Sequence, residues 1–294
     1  MVNHAITRPS RWAPAAVVAA AVLFGSTGTV RAVSPDDATT LGIGAVRLVL
    51  GAFGLAVGAL VFRRPLRPLR VSLVLSGGGA VAAYQATFFA ATQRTGVTLG
   101  TVMALTSGPI VAGILDVAIT RRRPRATWLA ASTLALAGVV LAVASSGSVR
   151  IDTVGIMCGL AAGASYAVYA TTVSRLIVGG SDPVASMAAT FVVGGALIAP
   201  TLLVEPLDWL TTPAGLAVGL HLGLATVAIA YTLYAAGLAH LSAPTAVTLT
   251  LAEPITAAVL GRFVLDEPVT TPAWWGFGLV MIGLVLVGRS ATAR

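Results

Sequence analysis

Apolar residues run along this chain in blocks of about twenty, not in the alternation of a half-buried strand or the single stripe of a surface helix. Ten such blocks lie at roughly Ala13–Val30, Leu41–Phe62, Val71–Thr92, Leu99–Thr120, Thr127–Ala144, Val154–Leu176, Ala185–Val204, Gly215–Leu238, Pro244–Val264 and Ala273–Val287. Each is long enough to cross a bilayer as a helix. Short polar loops separate them, and the tightest predicted connection is His240–Ser242, between spans eight and nine. The pattern predicts an all-α integral membrane protein of ten transmembrane helices, with no added soluble domain.

A shift of 145 residues lays Phe88–Val143 on Leu233–Gly288 without a gap. The informative matches are Pro109 with Pro254 and Gly138 with Gly283. The shift carries span four onto span nine. Five is odd, so the two copies enter the membrane with opposite topology, as in secondary transporters. The expected units are two inverted five-helix repeats, residues 1–148 and 149–294.

Composition removes the soluble alternatives. Hydrophobic residues make up 57% of the 294 and charged residues only 10%, well below the roughly 25% of a soluble domain. All 18 basic residues are arginine, so lysine Schiff-base and phosphate-loop chemistry is ruled out. With a cytoplasmic N-terminus, thirteen arginines fall in cytoplasmic segments, including Arg63–Arg70 and Arg121–Arg125. Arg31, Arg94, Arg150 and Arg262 fall outside, and Arg47 lies within span two. This bias predicts that both termini are cytoplasmic, in a multi-pass protein of the inner (plasma) membrane. The net charge of +8 therefore reads as topology and not as nucleic-acid binding. Cys158 is the sole cysteine, and no His/Glu cluster has metal-ligand spacing, so no metal and no cofactor is expected.

The chain resembles the EamA-type transporters of the drug/metabolite transporter superfamily. The residues that carry the resemblance are Phe24-Gly25-Ser26, Arg47-Leu48, and Pro109 followed by the basic turn Arg121–Arg125. In the second half they are Ala252-Glu253-Pro254 and Leu265-Asp266-Glu267, which opens the last span. The first half departs from this pattern, with Ser107-Gly108-Pro109 where the second has Glu253. The resemblance implies transport of small metabolites, often amino-acid export. It names no substrate.

Residue by residue, the tyrosines give the clearest signal. Trp12, Trp128, Trp209, Trp274 and Trp275 fall at span ends or in loops and read as an interfacial belt. Tyr84, Tyr166, Tyr169, Tyr231 and Tyr234 instead lie deep in spans three, six and eight. A phenol in hydrocarbon needs a partner, so these spans are expected to line a shared cavity. Ser26, Thr27, Ser107, Ser165, Thr248 and Thr250 add neutral hydrogen-bonding groups at membrane depth.

Glu253 has three open readings: contact with a substrate amine, proton coupling, or a structural bond across the break at Pro254. Arg47 either snorkels outward, pairs with a group such as Glu253, or receives a substrate carboxylate. Pro109 and Pro254 are candidate hinges, because each removes a helical hydrogen bond. His221 reads first as a structural histidine. Gly54 and Gly58 are expected to form a small-residue packing face, and Ser76–Gly79 allows close packing or bending.

The leading function is secondary transport of small amphipathic metabolites, most readily amino acids, by alternating access around a midplane cavity. The rival within transport is efflux of lipophilic cations. The rival of another class, an intramembrane enzyme, lacks paired aspartates and any sign that a serine meets a base. The expected partners are the small-molecule substrate and the lipid bilayer, with no nucleic acid. A monomer is the expected unit.

Overall fold

The computed structural model describes residues 10–64, 69–144 and 151–292. Arg8, Arg67, Arg150 and Arg294, all counted in the orientation argument, lie outside the described residues, as does the boundary between the two halves.

Ten helices are long and apolar enough to span a membrane: Ala13–Ala32, Thr40–Val61, Val71–Gly96, Leu99–Thr120, Ala126–Ala144, Thr153–Val178, Pro183–Leu203, Pro213–Leu238, Ala243–Val264 and Thr271–Ala291. They are numbered here as spans one to ten. No strand occurs among the described residues.

Helix starts follow local chemistry. Thr39, Asp152, Asp182 and Thr212 each accept a backbone N–H three residues on, at 2.9, 2.6, 2.9 and 3.0 Å. These caps satisfy donors that the first helical turn would otherwise leave open. Pro14, Pro183, Pro213 and Pro244 occupy the first turns of spans one, seven, eight and nine, where a missing N–H costs nothing.

The tightest connection is not the one predicted. Spans three and four run on through a sharp break at Gly96, whose φ of 84° lies where a Cβ is disfavoured. Arg94 and Thr95, read from sequence as loop, belong to the last turn of span three. Thr95 Oγ1 donates to the Ala91 carbonyl at 2.8 Å, and Arg94 reaches Asp152 at the start of span six at 3.7 Å. On the opposite face, Arg64 pairs with Asp182 at 3.5 Å and ties the two–three loop to the start of span seven.

Spans three and four pack along span six, and span two lies against spans seven and eight. Span one lies against spans eight and nine, while spans five and ten pair chiefly with each other. Small residues permit these approaches. A Cβ at Gly51 would stand 2.3 Å from Val227, and one at Gly138 would stand 2.5 Å from the Gly276 carbonyl. Gly54 packs on Ala228 as expected, but Gly58 faces open space, so the packing face of span two runs through Gly51 and Gly54. Gly77 and Gly78 likewise seat span three against Thr172 and Val193.

Three spans depart from regular α-helix. Span seven ends in a 3₁₀ turn at Ala199–Leu203. Span eight is π-helical over His221–Ile229. Span nine passes through a 3₁₀ turn at Thr250–Ala252 before a new helix starts at Glu253-Pro254. Pro109, its counterpart under the 145-residue shift, sits inside a continuous helix. The two prolines therefore act on unlike backbones.

Trp209 is not part of an interfacial belt. It is fully buried in a short 3₁₀ turn, Asp208–Thr211, and packs with Ile43, Val46, Val218 and Leu222. The seven–eight loop thus plugs the space between spans two and eight.

Candidate functional site

The five tyrosines converge in one aromatic cluster. Tyr84 lies 6.1 Å from Tyr166, Tyr166 5.0 Å from Tyr169, Tyr169 6.0 Å from Tyr231, and Tyr231 6.1 Å from Tyr234, ring centre to ring centre. Phe191 and Phe24 close on Tyr231 at 4.2 and 4.9 Å. Tilted and edge-on rings at these distances attract beyond their burial. Periodicity explains the convergence: residues three apart share a helix face, so Tyr166/Tyr169 and Tyr231/Tyr234 are presented as pairs.

Three of these hydroxyls are hydrogen-bonded, while Tyr234 Oη is buried with no partner among the described residues. Tyr169 donates to Tyr231 Oη at 3.1 Å. Tyr166 Oη lies 2.9 Å from Thr250 Oγ1. Thr250 gives its own proton to the Val247 carbonyl at 2.8 Å, so Tyr166 is the donor of that pair. The 3₁₀ turn before Glu253 is thereby tied to span six.

A small cavity opens beside the rings. Its volume is about 20 Å³, room for one water-sized group. Tyr84, Tyr169 and Tyr231 line it, together with Arg47, Gln85 and Phe191. Arg47 faces inward and does not snorkel: its Nε donates to Thr226 Oγ1 at 3.1 Å. Thr226, within the π-helical stretch, in turn donates to the Leu222 carbonyl at 2.6 Å. Gln85 Nε2 donates to the Gly44 carbonyl at 3.0 Å and bridges spans three and two.

Glu253 is half-buried at the start of the second helix of span nine. It lies within electrostatic reach of both Arg47 and Tyr84. No direct ion pair joins it to Arg47 among the described residues, whose pairs are Arg64–Asp182, Arg94–Asp152 and Arg262–Asp266. Arg47 thus lines the cavity without a direct ion pair to Glu253.

The remaining expected hydroxyls lie elsewhere. Ser107 donates to the Met103 carbonyl of its own helix at 2.6 Å and packs beside Gly163. Thr248 is buried, donates to the Pro244 carbonyl at 2.8 Å, and meets Ser132 of span five at 3.4 Å. Ser165 is half-buried beside Tyr166. Thr27 Oγ1 is buried and has no protein partner among the described residues.

Ser26 and His221 meet, 195 residues apart: Ser26 Oγ lies 2.9 Å from His221 Nε2. Ser26 Oγ also lies 2.7 Å from the Leu23 carbonyl of its own helix, and the pair bridges spans one and eight. Among the described residues, no group of three or more His, Cys, Asp or Glu side chains could hold a metal.

Of the three sequence readings of Arg47, outward snorkelling is the one the structure removes, since its side chain lines the cavity and bonds Thr226. Gln85 and Phe191 looked like ordinary span residues. The one available signal for Gln85 was an amide in span three, one position from Tyr84.

The comparisons agree with this architecture. A family model, the EamA-like transporter family, matches residues 11–144 and again residues 153–289. The "Uncharacterized transporter YwfM" of Bacillus subtilis is 40% identical over 275 residues, 93% of each chain. The "Uncharacterized inner membrane transporter YicL" of Salmonella typhimurium is 26% identical over 290 residues, 95% of each chain. A solved crystal structure superposes with a TM-score of 0.82 at 16% identity, covering 97% of this chain and 98% of that one, a likeness of fold alone. With ten spans, a double family match and a relative at this identity, the chain belongs to the EamA-like transporter family.

Proposed function

We propose that this protein moves small zwitterionic metabolites, amino acids foremost, across the inner membrane by alternating access around the aromatic cluster. The observation that carries the reading is the placement of Arg47 on the cavity wall beside Tyr84, Tyr169 and Tyr231, with Glu253 within electrostatic reach. A guanidinium matches a carboxylate in charge and in planar, two-pronged geometry. Glu253 suits the ammonium group of the same molecule, and the rings suit an apolar side chain with polar neighbours. Tyr166 and Tyr234 back the rings that touch the cavity.

The narrow cavity admits a solute only if the helices around it part. Pro254, at the start of the second helix of span nine, supplies a flexible point on one side. Pro109 is the weaker hinge, since its helix is unbroken. Alternating closure at the two ends would carry the solute across the membrane in the direction set by the gradients on it. A fixed arginine at the cavity wall also disfavours lipophilic cations, which would meet a like charge in a low-dielectric site.

The test is thermal stabilisation of the purified protein by ligands, since a ligand that binds only the folded state raises the midpoint with concentration. Neutral amino acids should stabilise it and quaternary ammonium compounds should not. Stabilisation by the cations alone would move the function to lipophilic-cation efflux.

A further inference from the structure

A second cavity lies away from the tyrosines, between spans four and five. It measures about 370 Å³ and is lined mainly by apolar groups, among them Pro109, Gly113, Val117, Pro124, Trp128 and Thr133. It opens laterally, because neighbouring lining residues Ile110 and Ile114 are 52% and 62% exposed. Its volume and chemistry match a stretch of hydrocarbon chain.

The residues that line the groove in the first half differ from their counterparts in the second. Under the 145-residue shift, Trp128 becomes Ala273 and Ser132 becomes Phe277. Phe277 packs against Ile255, Ala258 and Val269, the counterparts of Ile110, Gly113 and Pro124. In the second half the same space is filled by the protein's own phenyl ring.

The charge at the mouth differs in the same way. Pro124, at one end of the groove, sits inside the run Arg121-Arg122-Arg123-Pro124-Arg125, whose four guanidinium groups are exposed. None of them takes part in an ion pair among the described residues. The acidic group on the groove-side helices, Asp116, lies one turn back on span four. The counterpart turn of the second half carries Asp266 and Glu267.

We propose that this groove is a binding site for an anionic phospholipid. One acyl chain lies between spans four and five, and the headgroup phosphate lies against Arg121–Arg125. Arginines near a membrane surface each contribute about 1 kcal/mol toward anionic lipid, and a basic site at the end of an interhelical groove combines that attraction with hydrocarbon burial. The Trp128 ring contributes apolar surface to the groove wall. A second copy of the chain fits the site less well. A two-fold axis along the membrane normal would set two arginine runs at the same depth, where like charges repel.

The test uses the full-length protein, delipidated in neutral detergent, with phosphatidylglycerol, phosphatidylcholine or inorganic phosphate added. Bound lipid is counted by native mass spectrometry and stability by thermal midpoint. Phosphatidylglycerol should be retained and should stabilise; phosphatidylcholine and phosphate should do neither. Arg122→Gln/Arg123→Gln should weaken phosphatidylglycerol retention roughly tenfold or more. Thr133→Trp, which fills the groove from an exposed position, should abolish it. If Thr133→Trp does not fold, the exposed arginine pair still decides the matter. Equal retention of both lipids, stabilisation by phosphate alone, or wild-type retention in the arginine variant would each overturn the proposal. So would a dimer that Thr133→Trp dissociates while lipid retention is unchanged.

Discussion

A guanidinium inside a bilayer is costly unless it is hydrogen-bonded or faces a polar cavity, and Arg47 does both. Its bond to Thr226 occupies one donor and leaves the other guanidinium N–H groups for a ligand. Tyr231 completes the cavity wall through rings on two sides. Removing it should weaken substrate binding several-fold to tenfold, the equivalent of the roughly 0.5–1.5 kcal/mol of an aromatic contact. Tyr231→Ala should therefore lose most ligand-dependent thermal shift, while Trp275→Ala, on the exposed face of span ten, retains it. Glu253 carries a second prediction. If it exchanges protons during transport, Glu253→Gln should abolish the effect of a pH gradient on uptake into liposomes, yet leave part of the substrate exchange at equal pH. Unchanged gradient-driven uptake would make Glu253 a structural group at the break in span nine.

At the scale of elements, span one seats closely against that break. A Cβ at Gly25 would stand 2.7 Å from the Glu253 carbonyl and 2.6 Å from Thr256 Cβ. Backbone cannot yield as a flexible side chain can, so Gly25→Leu should cost about 1–3 kcal/mol through overpacking. Gly28→Leu is the control, since a Cβ there meets nothing within 4 Å. Thermal midpoints should fall for the first variant and stay near wild type for the second; equal midpoints would mean that span one does not seat on the break. The ten apolar blocks and the tyrosine faces were legible in the sequence because burial in lipid and helical periodicity leave direct marks. The run through Gly96 was not, because Arg94 and Thr95 are polar whether they end a helix or form a loop. Trp209 misled for a related reason: a tryptophan beyond a span end looks the same whether it meets lipid headgroups or fills a gap between helices. The π-helical stretch of span eight, with only His221 and Thr226 polar, carries no local signature of its wider winding. The Ser26–His221 contact and the Gln85 bridge join residues far apart in sequence, and an apolar pattern records no pairing between helices.

For the molecule as a whole, the ion pairs Arg64–Asp182 and Arg94–Asp152 tie together loops at opposite ends of the bundle. The expectation from the arginine bias is a cytoplasmic Arg64 end. In a Cys158→Ala background, a cysteine at Arg122 should resist an impermeant thiol reagent in intact cells, and one at Asp208 should react; the reverse pattern would invert the topology. The two halves differ in what they contribute. The first supplies Arg47, Tyr84 and the basic groove, and the second supplies Glu253 and four of the five tyrosines. Such an asymmetric site on a pseudo-symmetric frame suits a solute with two unlike ends. The most direct measurement is counterflow in liposomes: purified protein, a saturating unlabelled neutral amino acid inside, and a trace of the labelled compound outside. The account predicts transient accumulation of label by the wild-type protein and its loss in Arg47→Gln. Accumulation that persists undiminished in Arg47→Gln, or that occurs with a lipophilic cation and with no amino acid, would contradict it.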